Sequence, residues 1–323
     1  MARIALDAMG GDHAPAETVA GAVEASRKGV DVVLVGDSEV LSAELAEHAY
    51  RLPIVDAPEV IGMSDDPTRA IRDKPNASVV VAARLVSEGS AGGFISAGST
   101  GAAMAAAAVI VGRIKGVSRP PIATIIPTPG SPTILLDAGA NPEVKPEQLA
   151  QFGTMGSAAA AAFFDLEEPR IALLSNGEEK GKGRDLEKAA YGLLESGPTR
   201  FVGNVEGRDL ATDKTDVIVT DGFTGNVVVK TIEGAATVVS QYALEELSML
   251  PSDVQEPILP AMERMRKHLD YETYGGAFLL GVKGLVLIAH GASPRVAICN
   301  ALVMARDGVD RDLPGLIEAH LAT

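Results

Sequence analysis

The chain has 323 residues, 46% of them hydrophobic, and a formal net charge of −15 from 28 Lys and Arg against 43 Asp and Glu. This length and apolar content suffice for a sizeable core, while the acidic balance opposes nucleic acid, whose binding needs a basic face to displace counterions. Cys299 is the only cysteine, which excludes an intrachain disulfide, a cysteine-based zinc site or a redox pair; its setting, AICNALVM, reads as a buried helix with no activating partner nearby.

The opening MARIALDAMGG reads as a strand over Arg3–Asp7 and its turn, not as a basic and apolar leader. A helix follows over Pro15–Lys28, with Val19, Ala20 and Val23 at helical spacing, then strands over Val32–Gly36 and Pro53–Asp56. Ala77–Glu88 reads as a helix carrying Val80, Val81, Ala83 and Leu85. Further strands are expected over Gly93–Ser96, Ile122–Ile126 and Ile134–Asp137, a long helix over Pro146–Phe164, and strands over Arg170–Leu174, Arg200–Gly203 and Asp216–Thr220. Strands alternating with helix-length segments mean crossover units and a mostly parallel sheet covered on both faces. After Asn226 the pattern changes to two long helices, Val227–Leu250 and Val254–Leu269, broken at Pro251 and Ser252. Val238, Tyr242 and Leu247 on the first arm, and Ile258, Met262, Met265 and Leu269 on the second, form stripes that suit core or a dimer seam, while Leu247, Met249, Leu250, Pro251, Ile258 and Leu259 crowd an apolar tip, flanked by Arg264, Arg266 and Lys267, that suits contact with a membrane surface. No window reaches the roughly 18 apolar residues of a spanning helix, so a soluble, cytoplasmic protein is expected.

Several strands end in small, polar, glycine-rich loops, which a parallel sheet gathers along one edge, where helix N-termini present unpaired N–H groups to an anion. Gly10, Gly11, Asp12 and His13 follow the first strand; Ser96, Gly98, Ser99, Thr100 and Gly101 open an alanine-rich helix; Asp221, Gly222, Thr224, Gly225 and Asn226 end the ninth strand. His13 and His290 suit proton transfer or donation to an oxyanion, and equally a helix cap with a polar neighbour. Gly177, Lys180 and Lys182 lie in the charged turn NGEEKGKG, and Arg208 in a later loop; each cation suits a phosphate or plain solvation. Asp7, Asp137 and Asp221 end strands, where a carboxylate acts as a base or accepts loop N–H groups. The chain lacks GxxxxGK[ST], a strand-to-helix GxGxxG with its acidic partner, HExxH and GxSxG, which counts against an ATPase, a dehydrogenase, a metallohydrolase and a serine hydrolase.

DAMGGDHAP, ISAGSTGA, LDAGAN, QFGTMG, NGEEKGKG, FVGNVEGRD, DGFTGN and YGGAFLLGVKG, in this order from Asp7 to about Ala301, closely resemble the bacterial phosphate acyltransferases of phospholipid synthesis. Ser99 stands where that pattern has asparagine, Ser175 and Asn176 replace an asparagine–isoleucine pair, and Phe278 replaces a proline. The resemblance implies transfer of a long fatty acyl group from the thioester of acyl carrier protein to inorganic phosphate, giving acyl phosphate for a membrane acyltransferase that acts on glycerol phosphate. It implies no metal and no nucleotide cofactor. It also implies a homodimer at the inner membrane surface and a three-layer, Rossmann-like α/β fold akin to isocitrate dehydrogenases and phosphotransacetylases. One α/β domain over residues 1–323 is expected, with the helical hairpin inserted at about 227–270 and protruding from it.

Phosphate is then the nucleophile, so glycine loops with Lys180, Lys182 or Arg208 would hold it and no cysteine or serine is needed. Asn141 and Asn226 would donate to the oxyanion, with His13 or His290 donating or managing a proton. The acidic carrier protein would dock on a local basic cluster, either Arg264, Arg266 and Lys267 or Arg113, Lys115 and Arg119. A phosphotransacetylase using acyl-CoA and a non-catalytic membrane scaffold are the competing readings.

Overall fold

A computed structural model describes residues 3–128, 130–269 and 275–322. Its strands are β1 (Ile4–Asp7), β2 (Val32–Gly36), β3 (Ile54–Asp56), β4 (Gly93–Ser96), β5 (Ile122–Ile126), β6 (Thr133–Leu136), β7 (Ile171–Leu174), β8 (Phe201–Val205), β9 (Val217–Val219), β10 (Ala277–Leu279) and β11 (Leu285–Ile288). The helices are α1 (Ala16–Arg27), α2 (Ser38–Glu47), α3 (Pro67–Asp73), α4 (Ser78–Ser87), α5 (Thr100–Ala106), α6 (Pro146–Phe164), α7 (Asp185–Glu195), α8 (Gly222–Ser248), α9 (Ser252–Leu269), α10 (Arg295–Asp310) and α11 (Leu313–Leu321). All eleven strands join one sheet in the order β3-β2-β1-β4-β11-β10-β5-β6-β9-β7-β8.

Alternate residues of each strand enter opposite layers, as the period of a strand requires. Ile4, Leu6, Leu136, Ile171 and Leu287 pack with α1, α6 and α10 in one continuous core. On the other face Ala5, Phe94, Leu279 and Val286 pack under α4 and α5, while Leu135, Ala172 and Ile218 pack under Val228, Val229 and Ile232 of α8. The fold is therefore the expected three-layer α/β arrangement. Its second layer is divided into two separate clusters.

Seven of the ten strand pairings are parallel, and three are antiparallel: β10 with β11, β10 with β5, and β5 with β6. These three reversals correct one expectation. The strands β1, β4 and β11 run one way and β6, β9 and β7 the other, so the glycine loops do not share one edge. Asp7, Ser96 and His290 lie at one rim, Asp137 and Asp221 at the opposite rim. The β5–β6 and β10–β11 reversals are hairpins between consecutive strands, whereas the β10–β5 pairing joins segments about 150 residues apart, which no local pattern reports. β10 and β11 were also unforeseen, because Gly275, Gly276, Gly281 and Gly284 break their segment into pieces that read as loop.

The hairpin is present but begins earlier than Val227: Asp221 caps α8 by accepting the Thr224 N–H at 2.8 Å. Of α8 only Gly222, Gly225 and Leu247 are buried. Val238 and Tyr242, expected on a packed stripe, are exposed, as is Met249 at 77%. The side chains of Arg266, Lys267 and Leu269, and all of Tyr274, lie outside the described residues. Among the described residues no helix is long and apolar enough to cross a membrane.

Candidate active site

Between the two clusters of the divided layer runs a cleft of about 320 Å³. Ile122, Thr124 and Ile126 of β5 form its floor, and Asn226, Val229, Lys230 and Glu233 of α8 form a wall. Gly98, Thr100 and His290 edge it at the β4–β11 rim, Ala138 and Gly139 at the β6 rim. The helix α8 starts at the second rim and crosses the sheet face toward the first. Asn226 lies beside Gly139, and Lys230 reaches His290 Nε2 at 3.1 Å while pairing with Glu233 at 2.8 Å. The two loop sets that strand direction separates are thus joined by one helix.

At the first rim Asp7 is 2% exposed. The Ser96 hydroxyl donates to its Oδ2 at 2.6 Å and accepts the Gly98 N–H at 3.1 Å, while Oδ1 has no hydrogen-bond partner among the described residues. Burial pushes the Asp7 carboxyl above its usual range, and the Ser78 and Ser96 hydroxyls offset only part of that. Gly10 is required here: a Cβ on it would lie 2.5 Å from Asp7 Oδ2 and 2.9 Å from the Gly98 nitrogen. Gly11 adopts φ +118° beside Ala97 and the Gly291 carbonyl, which accepts the Asp12 N–H at 2.7 Å. His13 is exposed in the turn before α1, close to the Glu17–Arg295 pair. Ser99 caps α5, and the close approach of Pro67 leaves room only for glycine at Gly101. The N–H groups of Thr100 and Gly101 open that helix, where no carbonyl one turn earlier exists to accept them.

The second rim is a hydrogen-bond knot. Asp137, fully buried, accepts Ile122 N–H (3.0 Å), Gly139 N–H (3.1 Å) and Ala140 N–H (2.9 Å) on Oδ1, and Asn141 N–H (2.7 Å) and Asn141 Nδ2 (2.8 Å) on Oδ2. The Asn141 amide also donates to the Pro120 carbonyl at 2.9 Å, so both its hydrogens brace this loop and none faces the cleft. The first turn of α8 seats on the same loop. Gly222 N–H donates to Asn141 O at 2.8 Å, and a Cβ on Gly225 would stand 1.8 Å from the Asp137 carbonyl oxygen. Asp221 accepts from Thr224 and Arg184. Burial pushes its carboxyl up, but the Thr224 N–H and the Arg184 guanidinium outweigh that and hold it below the ordinary carboxylate range. The phrase DGFTGN therefore anchors a helix, with its N–H groups largely taken, and presents Asn226 to the cleft.

The remaining sequence candidates gather near β7 and β8, at the far edge of the sheet. Lys180 pairs with Glu195 at 2.5 Å and stacks 5.2 Å from the Tyr191 ring, and the Glu195 hydrogen bond raises its pKa. Lys182 lies over Gly177 and 4.0 Å from Glu179, and Arg208 pairs with Glu206 at 2.5 Å. None of these four lines the cleft, whereas Gly98, Thr100, Asn226 and His290 do. Lys230, Glu233 and Gly139 line the cleft as well and are absent from the expected site residues. A lysine four residues after Asn226 falls one helical turn along the same face, the one signal that pointed to it.

A family described as fatty acid synthesis protein matches residues 2–315. The chain is 48% identical to a phosphate acyltransferase of Heliobacterium modesticaldum over 99% of its own length and 97% of the relative's. It is 46% identical to one of Desulforamulus reducens, covering 99% and 98%. Among solved structures, a phosphotransacetylase of Streptococcus pyogenes superposes with TM-score 0.64 at 16% identity, covering 96% of this chain and 94% of that one. The fold is accordingly that of the phosphotransacetylase class of three-layer α/β proteins. Within that class the chain belongs to the fatty acid synthesis protein family and to its phosphate acyltransferases, which are enzymes.

Proposed function

We propose that this enzyme moves a long fatty acyl group from the thioester of acyl carrier protein to inorganic phosphate, releasing acyl phosphate for phospholipid synthesis. The observation that carries the reading is a cleft with apolar Ile122 and Ile126 on its floor and Val229 on its α8 wall, edged by Thr100, Lys230 and His290 and, one helical turn from Lys230, by Asn226. An acyl chain lies along the floor, and phosphate sits where the cation and the α5 N–H groups converge. A phosphate oxygen attacks the thioester carbonyl carbon, forming the C–O bond and an oxyanion. Collapse breaks the C–S bond, and the carrier thiolate leaves and takes a proton.

Lys230 offsets the charge of the dianion, and the Asn226 amide donates to the oxyanion while staying neutral. With the Lys230 ammonium donating, His290 Nε2 accepts and its ring proton rests on Nδ1. The loop bearing Gly10, Gly11, Asp12 and His13 supports the His290 rim through Asp12 and Gly291. The exposed apolar residues of the hairpin support a homodimer seam and reversible contact with the inner membrane surface by a cytoplasmic, single-domain protein. Incubating purified protein with acyl carrier protein thioester and phosphate, then trapping acyl phosphate with hydroxylamine, tests donor and product together. A hydroxamate formed only in the presence of phosphate is expected. Its absence refutes the reading, and faster turnover of a CoA thioester moves the enzyme to the phosphotransacetylase reaction.

A further inference from the structure

From residue 89 to 136 and from 273 to 306 the sequence holds no Asp or Glu, in a chain whose net charge is −15. The fold pairs these two acid-free stretches at one place. Arg113 bridges Val282, the Ile114 N–H donates to the Gly281 carbonyl at 3.0 Å, and the Lys283 N–H donates to the Gly112 carbonyl at 2.9 Å. Arg113, Lys115, Arg119 and Lys283 are all exposed there, and none has an ion-pair partner among the described residues. Neutral groups brace the loop. Gln148 donates to the Ser118 hydroxyl at 3.1 Å and Gln151 to the Gly116 carbonyl at 3.0 Å. Four uncompensated cations on an acidic protein form a local field of opposite sign to the rest of the surface.

This ridge is tied to the cleft. Arg119 stands three residues before Ile122 on the cleft floor, a chain span of at most about 10 Å. The intervening Pro120 and Pro121 carbonyls are held by the Asn141 amide at 2.9 Å and the Leu280 N–H at 3.0 Å. Val109, 69% exposed in the helical turn just before Gly112, places an apolar group on the same segment.

Resting on the acyl-transfer reading above, we infer that the ridge formed by Arg113, Lys115, Arg119 and Lys283 is the docking surface for the acidic carrier protein that delivers the thioester. Charge complementarity of this kind acts on encounter rate and orientation, and salt screens it. The test compares two donors with one acyl group: carrier protein thioester and the small, uncharged acyl-pantetheine thioester. Two variants are used, Lys115→Glu with Lys283→Glu, and Arg119→Glu alone; Arg113 is spared because its guanidinium holds the Ser118 carbonyl at 2.7 Å. The expected result is a tenfold or greater loss of kcat/KM for the carrier donor, mostly in KM, with the pantetheine donor within twofold of wild type. The wild-type rate with the carrier falls as salt rises, and the double variant's does not. Unchanged kcat/KM for the carrier donor in both variants overturns the proposal, as does an equal loss with both donors. A wild-type enzyme that makes acyl phosphate from neither donor overturns the acyl-transfer reading itself, an outcome distinct from either.

Discussion

Replacing Asp137 by asparagine tests whether the second rim is held by one carboxylate. An ionised carboxyl only accepts, and this one takes five N–H groups, three on Oδ1 and two on Oδ2. An asparagine amide keeps one oxygen, so the less costly orientation preserves the three bonds of Oδ1 and turns an NH₂ group toward Asn141 N–H and Asn141 Nδ2. Both of those donors lose their acceptor in a site with no solvent exposure at Asp137. At about 1–3 kcal/mol for each orphaned buried donor, the loss is about 2–6 kcal/mol. That is a large part of the ~5–15 kcal/mol that keeps a typical domain folded. Urea unfolding with an unchanged m-value measures it, and amide exchange localises it, with Gly139, Ala140 and Asn141 exchanging faster than the β1–β4 core. A loss below about 1 kcal/mol, or exchange that rises evenly over the chain, refutes the argument.

Lys230→Ala is expected to lower kcat/KM for acyl transfer by about a hundredfold, as removal of a preorganised charge from a reacting oxyanion does, while Lys180→Ala stays within about twofold. The hydroxylamine-trap assay decides between them, and the opposite ranking moves the site to the far edge of the sheet. Gly225→Ala places a methyl against the Asp137 carbonyl oxygen, so α8 must shift; a fall of about 3 kcal/mol in stability is expected, with loss of activity, read by urea unfolding and turnover on the same sample. Asp221 and Asp7 have opposite pH signatures. The folded-state pKa of Asp221 lies below its ordinary 3.8, so its contribution is present above that value and lost as pH falls through the depressed one; Asp221→Asn flattens the stability curve on the acid side. The folded-state pKa of Asp7 lies above 3.8, so its contribution is complete below that value and lost as pH rises through the raised one; stability declines over that range, and Asp7→Asn flattens the decline. Stability measured by urea unfolding from pH 3 to 8 gives either the two mirror-image changes or a refutation.

Local patterns along the chain set the material of the layers. Continuous apolar runs such as Val217–Val219, bounded by Asp216 and Thr220, and the helical spacing of Val19 and Val23 are local signals, and nine strands and the hairpin were legible from them. The chain's ordered phrases also determined the family, because several loops with fixed glycines recur together. Tertiary structure alone decided which way the strands run. The β5–β6 reversal is a short hairpin, but the insertion of β10 beside β5 depends on pairing between residues some 150 positions apart, such as Phe278 with Ala123, and together the reversals send the glycine loops to opposite rims. Only the packed fold then shows how α8, seated through Gly225 on the Asp137 loop, brings Lys230 to His290 across sixty residues of chain. Periodicity reports what a residue's neighbours in sequence do, whereas the cleft is built from residues that become neighbours only when the sheet closes.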